Sequence, residues 1–368
     1  MKIAFLSTFY PFRGGIAQFN AALYRALEKQ HKVKAFNFSL QYPSLLFPGK
    51  TQLVSPEDNA DAIPSERTLN SISPRSFRKT AKAIEHFQPD VLIIGYWMPF
   101  MAPSLGYVAK RLAKKCKVVS IVHNAIPHEK SRLDKVLSHY FFQRSNRFVA
   151  LSESVRKDIL KNYPTVKVQT ILHPSYDHFG SLIRREAALN QLQLDPSNQY
   201  LLFFGLIRDY KGLDTLLQAL ALLAPDIHLL IAGEVYGSFT LYQRIIQDHQ
   251  LETRVHQFNA YIPDHEVHLY FSAAACCVLP YKSATQSGIT AIAHHFNIPV
   301  VASNVGGLSE FIQHDKNGYL VTNCTPKKLA QTLNTGFTTG AFEQFSVALS
   351  QQQHATWEDF AHELLAFI

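Results

Sequence analysis

Several stretches of this chain hold residues whose types suit phosphate chemistry, each where a strand-like run turns into a helix-like one. "STFYPFRGGIAQFN" carries Gly14 and Gly15, whose main-chain N–H groups and following helix start can face an anion. "FFGLIRDYKGLDTLLQAL" carries Arg208 and Lys211, two cations placed to converge on a diphosphate. "PYKSATQSGITAIAHHF" offers the hydroxyls and amide of Thr285, Gln286 and Ser287, while Gly288 lets a helix start approach phosphate oxygens. "PVVASNVGGLSE" follows, with a glycine turn at Gly306 and Gly307 and Glu310 in the next helix. His123 ends "VVSIVH" and is expected at a strand's carboxyl end rather than in the core. An imidazole there donates a hydrogen bond to a sugar hydroxyl or acts as a base.

Each segment also has a plainer reading: glycines that serve a turn, loop cations that face solvent, a histidine held by structural contacts. No G-x-G-x-x-G, P-loop, G-x-S-x-G or H-E-x-x-H pattern occurs in the sequence, which removes support for dinucleotide, kinase, hydrolase and zinc-enzyme readings.

The elements that must position these residues show a repeated pattern. "KIAFLS", "VKAFNF", "DVLIIGY", "KVVSIVH" and "RFVALS" read as strands, as do "YLLFFGL", "IHLLIAGE", "ACCVLPY" and "PVVAS" in the second half. Helical spacing of apolar residues lies between them, in "IAQFNAALYRALEKQ", "SFRKTAKAIEHF" and "APSLGYVAKRLAKK", then in "GLDTLLQALALLA", "FTLYQRIIQDHQ", "HEVHLYFSA" and "SGITAIAHHF". The strand runs are apolar throughout, as parallel strands covered on both faces must be.

The fold class is therefore α/β: two doubly wound, Rossmann-like domains with parallel sheets, expected over residues 1–175 and 176–353. The join is expected within "HPSYDHFGSLIRREAALNQLQLDPSNQ". The last helix, about 354–368, is expected to pack back on the first domain. Ligands of such sheets lie beyond the carboxyl ends of the strands, which points to a cleft between the two domains.

Hydrophobic residues make up 47% of the 368 and charged ones 17%, a globular balance. Residues 1–175 hold 26 basic and 11 acidic side chains, a net +15, whereas residues 176–368 hold 10 and 17, a net −7. A basic first half suits a phospholipid surface, a phosphate-bearing substrate or nucleic acid. Nucleic acid is set aside because no recognition helix or stacking module is visible.

Cys116, Cys276, Cys277 and Cys324 form no paired zinc or redox spacing, and Cys276 and Cys277 sit in an apolar run that predicts burial. A reducing cytoplasm suits them. "KIAFLSTFYPF" lacks the features of a signal peptide, and no apolar run is long enough to span a bilayer. The expected location is cytoplasmic, with peripheral contact at the inner membrane face.

Taken in order, "FYPFRGGIAQFNAAL", "SIVHNAIPHE", "FVALSESVRKDI", "FFGLIRDYKGLDTLL", "LLIAGE", "YIPDHEVHLYFSAA", "LPYKSATQSG" and "PVVASNVGGLSEFIQHDKNGYLV" resemble the family 4 glycosyltransferases of the GT-B fold. The resemblance implies that the second domain grips a nucleotide-diphosphate sugar and the first binds a glycan or lipid-linked acceptor. By match, Arg208 and Lys211 neutralise the diphosphate and Ser287, Gly288 and Ile289 give it main-chain N–H groups. Gly14 and Gly15 approach from the opposite side, and His123 touches the donor sugar. Tyr261, Thr285, Gln286 and Glu310 complete the implied donor set. Transfer with retention of configuration and without a metal or separate cofactor is also implied, because cations and helix N-termini stabilise the leaving diphosphate.

This sequence departs from the family pattern in two places. Relatives carry two glutamates about two helical turns apart, where Ala284 and Ile292 stand here, and a basic residue where Leu206 stands. Two rival readings therefore remain: a non-catalytic nucleotide-sugar-binding homologue, and an epimerase of the same fold acting on the nucleotide-sugar itself.

Overall fold

The computed structural model describes residues 1–43, 51–54, 60–124, 132–145, 147–174, 176, 178–284, 287–352 and 355–368. They fall into two compact units, Met1–Pro174 with Ala355–Ile368, and Ser175–His354.

Unit 1 alternates strand and helix: β1 (Lys2–Leu6), α1 (Gly15–Glu28), β2 (Lys32–Leu40), β3 (Ser65–Asn70), α2 (Pro74–Phe87), β4 (Val91–Tyr96), α3 (Ala102–Leu112), β5 (Lys117–Val122), α4 (Arg132–Phe142), β6 (Arg147–Ala150), α5 (Glu153–Asn162) and β7 (Lys167–Thr170). All strands pair in parallel in the order β3-β2-β1-β4-β5-β6-β7. Helices cover both faces, so the central strand β4, "VLIIGY", is buried along its whole length. Helix α1 turns Phe19, Leu23 and Leu27 inward at four-residue spacing.

Unit 2 repeats the plan: α6 (Arg185–Gln191), β8 (Gln199–Phe204), α7 (Leu213–Leu220), β9 (Ile227–Ala232), α8 (Thr240–Asp248), β10 (Val255–Phe258), α9 (Val267–Ala273), β11 (Cys276–Leu279), α10 (Gly288–His295), β12 (Val300–Ser303), β13 (Gly318–Val321), α11 (Pro326–Thr338) and α12 (Ala341–Ser350). Its parallel order is β10-β9-β8-β11-β12-β13. Cys276 and Cys277 are buried in β11, and all four cysteines are free thiols.

The last helix, α13 (Trp357–Phe367), belongs to unit 1. A reciprocal cap between Thr356 and Asp359 starts it, and its Trp357 and Phe360 rings meet Phe19 of α1 edge-on at 5.1 and 5.4 Å. Among the described residues no helix is long and apolar enough to cross a membrane.

The structure adds four strands that the apolar runs do not reveal: β3, β7, β10 and β13. These are the edges of the two sheets. An edge strand needs no continuous apolar run, and "SERTLN" and "KVQT" are accordingly half-exposed. A second difference concerns Glu310, which closes a 3-10 turn, Gly306–Glu310, instead of lying in a full helix.

Candidate functional site

In doubly wound sheets the ligand crevice forms where strand order reverses, because the loops leaving those two strands diverge to opposite faces. In unit 2 the reversal lies between β8 and β11. The loop after β8 carries Arg208 and a 3-10 turn, Asp209–Lys211; the loop after β11 leads to α10. The two loops are pinned together. The Lys282 N–H donates to the Tyr210 carbonyl at 2.7 Å, and Lys282 Nζ pairs with Asp214 Oδ2 at 2.9 Å. Gly212 approaches β11 so closely that a Cβ there would stand 2.0 Å from the Pro280 carbonyl oxygen.

Lys211 is only 7% exposed. Its Nζ and Ile289 Cδ1 lie within 3.3 and 3.2 Å of one point, the place a Cβ on Gly205 would occupy, so the ammonium sits beside the first turn of α10. The Tyr281 ring lies 5.8 Å away. Burial, and next the charge of Arg208, lowers its pKa from 10.5 to about 8. Among the described residues no carboxylate pairs with it. A buried cation without a counter-ion is costly, and a bound phosphate removes that cost.

Arg208 is half-buried and stacks on Tyr236, its guanidinium carbon 3.9 Å from the ring centre. Its Nε is buried and has no hydrogen-bond partner among the described residues. At the start of α10, the Ser287 hydroxyl accepts the Ile289 N–H at 3.3 Å and lies 3.3 Å from the Tyr281 hydroxyl. The Gly288 N–H, one of the donors a helix start leaves open, has no acceptor among the described residues. Arg208, Lys211, Ser287, Gly288 and Ile289 are thus gathered at one reversal point.

Thr285 and Gln286 lie outside the described residues. Tyr261 follows the edge strand β10, and Glu310 lies beyond β12, so strand order places them on opposite sides of the β8/β11 reversal. Ile292 is packed in the core of unit 2, where the family resemblance implies a glutamate, and Leu206 is exposed.

In unit 1 the reversal lies between β1 and β4. Gly14 precedes α1 at φ +108° with open space around it, and Gly15 is exposed. The buried polar groups nearby are neutral: Asn20 Nδ2 donates to Ser7 Oγ and to the Thr8 carbonyl, both at 2.8 Å. His123 follows β5 at the carboxyl end, as expected, but the expectation that it avoids the core is corrected. It is 5% exposed, with Phe19 of α1 edge-on at 4.9 Å. Burial, then neighbouring His173, lowers its pKa from 6.5 to about 3. Such an imidazole is neutral and too weakly basic for proton abstraction near pH 7.

Sequence reasoning missed Tyr236, Tyr281 and the Asp214–Lys282 clamp. Tyr281 stands in the quoted "LPYKSATQSG", but nothing along the chain links it to Lys211; only strand pairing does.

Two family models match most of the chain. Residues 184–339 match the one described as glycosyl transferases group 1, and residues 13–174 the one described as glycosyltransferase family 4. A D-inositol 3-phosphate glycosyltransferase of Mycolicibacterium gilvum is 31% identical over 188 residues, which is 50% of this chain and 41% of that protein. A second, from Pseudarthrobacter chlorophenolicus, is 29% identical over 215 residues, 56% of this chain and 50% of that one. The chain thus matches half or less of the length of these two relatives. A GDP-mannose:glycolipid 4-beta-D-mannosyltransferase of Xanthomonas campestris is 27% identical over 261 residues, 66% of this chain and 67% of that one.

Among solved structures, sucrose-phosphate synthase of Thermosynechococcus elongatus superposes with a TM-score of 0.77 at 17% identity, covering 99% of this chain and 97% of that one. Anabaena HepE in complex with UDP and glucose superposes at 0.75 with 17% identity and full coverage of both chains. At these identities the likeness is one of fold, and the fold is GT-B.

Proposed function

The chain belongs to the family 4 glycosyltransferases of the GT-B fold, and from that premise we propose that it transfers a sugar from a nucleotide-diphosphate sugar to a glycan or lipid-linked acceptor. The observation that carries this reading is the buried, carboxylate-free Lys211 beside the first turn of α10, at the reversal of the second sheet. Cations and oriented amides in a dry site stabilise the charge that builds on a departing diphosphate. HepE, which shares the fold, binds UDP and glucose, and this supports a uridine- or similar nucleotide donor.

In this scheme Lys211 and Arg208 hold the diphosphate while the α10 start donates to its oxygens. His123 donates a hydrogen bond and carries no proton away from the acceptor, since its pKa is near 3. Departure of the diphosphate needs no metal, the sugar keeps its anomeric configuration, and a phosphate oxygen of the leaving group takes the acceptor proton. The reaction belongs to polysaccharide or glycoconjugate assembly, performed in the cytoplasm with unit 1 as the acceptor side and its basic surface against an anionic membrane.

The test is a thermal-shift and calorimetric screen of UDP-, GDP- and ADP-sugars on the wild type and on Arg208→Ala/Lys211→Ala. Loss of two charge-assisted contacts is expected to weaken donor binding on the order of 100-fold or more. Unchanged affinity refutes the site. Isotope-labelled transfer followed by the anomeric NMR signal of the product separates retention from inversion. The buried Ile292 favours a second reading, a donor-binding homologue without transfer. It predicts donor binding with no turnover across an acceptor panel, whereas an epimerase converts the donor with no acceptor present.

A further inference from the structure

At the amino end of the first sheet, opposite the end that bears Gly14 and His123, the structure holds a solvent-open cavity of about 770 Å³, lined largely by exposed side chains. Lys117 and Arg147 open β5 and β6, Asp90 precedes β4, Lys114 and Lys115 follow α3, and Arg144 follows α4; all six line it.

A simpler account of these cations is that they compensate the negative carboxyl ends of α3 and α4. The charges do not balance that way. Lys115 is 3.3 Å from Glu85 and is set against it. Four cations remain, facing Asp90 and three helix ends, those of α3, α4 and, through Arg147, α13, worth roughly half a charge each, so about one and a half positive charges are left over. Asp90 is itself engaged, its Oδ2 accepting the Lys2 N–H at 2.7 Å. Lys114 and Lys117 have no ion-pair partner among the described residues.

The cavity is also partly preorganised. Arg144 Nη1 donates to the Tyr140 carbonyl at 2.6 Å, and its guanidinium carbon lies 3.4 Å from the Tyr140 ring centre. This fixes the plane of the fork, while its Nε is buried with no hydrogen-bond partner among the described residues. Arg147 Nη1 donates to the Phe367 carbonyl at 3.2 Å and to the Ile368 oxygen, which anchors a second fork at the rim. Fixed guanidinium planes beside unpaired ammonium groups match the tetrahedral, multiply charged oxygens of a phosphoryl group.

We propose that this cavity binds a phosphoryl-bearing anion, at a site separate from the one that takes the donor. Two sources present the same chemistry, a soluble phosphate compound and the headgroup of an anionic phospholipid. The proposal does not depend on the donor site, which lies in the other unit.

Hydrogen exchange read by mass spectrometry on the full chain tests it, with sodium pyrophosphate, with phosphatidylglycerol vesicles and with neutral phosphatidylcholine vesicles. The expected result is slowed exchange in residues 113–118 and 143–147 with pyrophosphate or with the anionic vesicles. The effect should be absent with the neutral vesicles and reversed by added salt. Lys114→Glu/Lys117→Glu, two exposed substitutions, and separately Arg144→Gln, should each weaken the effect at least tenfold. Slowing by pyrophosphate identifies a soluble ligand, and slowing by the anionic vesicles alone identifies a headgroup; either supports the proposal. It is overturned by no slowing in these segments, by equal slowing with neutral vesicles, or by slowing that the variants leave unchanged. Slowing confined to residues 205–212 and 287–291 overturns it too, while leaving the donor site standing.

Discussion

At the β1/β4 reversal of unit 1, the buried polar side chains are neutral, with Asn20 bonded to Ser7 and Thr8 and His123 uncharged among aromatic rings. At the β8/β11 reversal of unit 2, the same topology buries an ammonium with no carboxylate against it. The net charges run the other way: unit 1 carries 26 basic and 14 acidic side chains, unit 2 carries 10 and 14. A unit's net charge therefore does not tell whether its reversal point buries an unpaired cation. The distinction matters because a surface charge is screened within about 10 Å and a buried one much less.

Four substitutions sharpen or break this contrast. Gly212→Ala should cost the most, about 4 kcal/mol, because the new Cβ would meet the Pro280 carbonyl oxygen at 2.0 Å in a backbone held at φ +71°. Urea unfolding measures this, and a loss below about 1 kcal/mol would mean the two loops are not locked together.

Lys211→Met should act in the opposite direction and stabilise the ligand-free protein near pH 7 by about 3 kcal/mol. The sign follows from a pKa of about 8 in the folded state against 10.5 unfolded. Below pH 8 the ammonium is charged in both states and its burial cost is present in full; between pH 8 and 10.5 the unfolded chain binds more protons, so wild-type stability rises with pH. The variant should lose that rise. A destabilised Lys211→Met protein would show that the lysine already has a partner in the folded chain.

The matching glycine of unit 1 should matter less. Gly14→Ala meets no atom within 4 Å and is strained only by φ +108°, for about 2 kcal/mol. His123 has no expected effect near pH 7 and shows only as a slope in acid. Its folded pKa of about 3 against 6.5 unfolded means that stability is lost as pH falls from 6.5 toward 3, by roughly 1 kcal/mol per pH unit. His123→Gln should flatten the acid limb of the unfolding curve by that amount, and an unaltered limb would place the imidazole in water.

Much of this was legible from residue order. All nine interior strands stand out as apolar runs, because strands covered on both faces can carry little else; the edge strands β3 and β7 do not, because water reaches them, whereas β13, "GYLV", is largely buried and only too short to read as a run. Arg208 and Lys211 were recognisable because their loop follows such a run. Tyr236, Tyr281 and the Lys282–Asp214 pair were not, since they arrive on neighbouring strands and meet the cations only once β8, β9 and β11 lie side by side. The burial of His123 escaped notice for a similar reason: Phe19 reaches it from a helix about a hundred residues earlier in the chain.

The most direct measurement is calorimetric titration of UDP and GDP near pH 8, in EDTA and in buffers of differing ionisation enthalpy. A diphosphate clasped by Lys211 should raise that group's pKa and draw about half a proton from the buffer at pH 8. Uptake should fade at pH 6.5, where the ammonium is already charged, and be absent in Lys211→Met along with most of the affinity. Tight binding with no buffer-dependent heat, undiminished in Lys211→Met, would contradict the account.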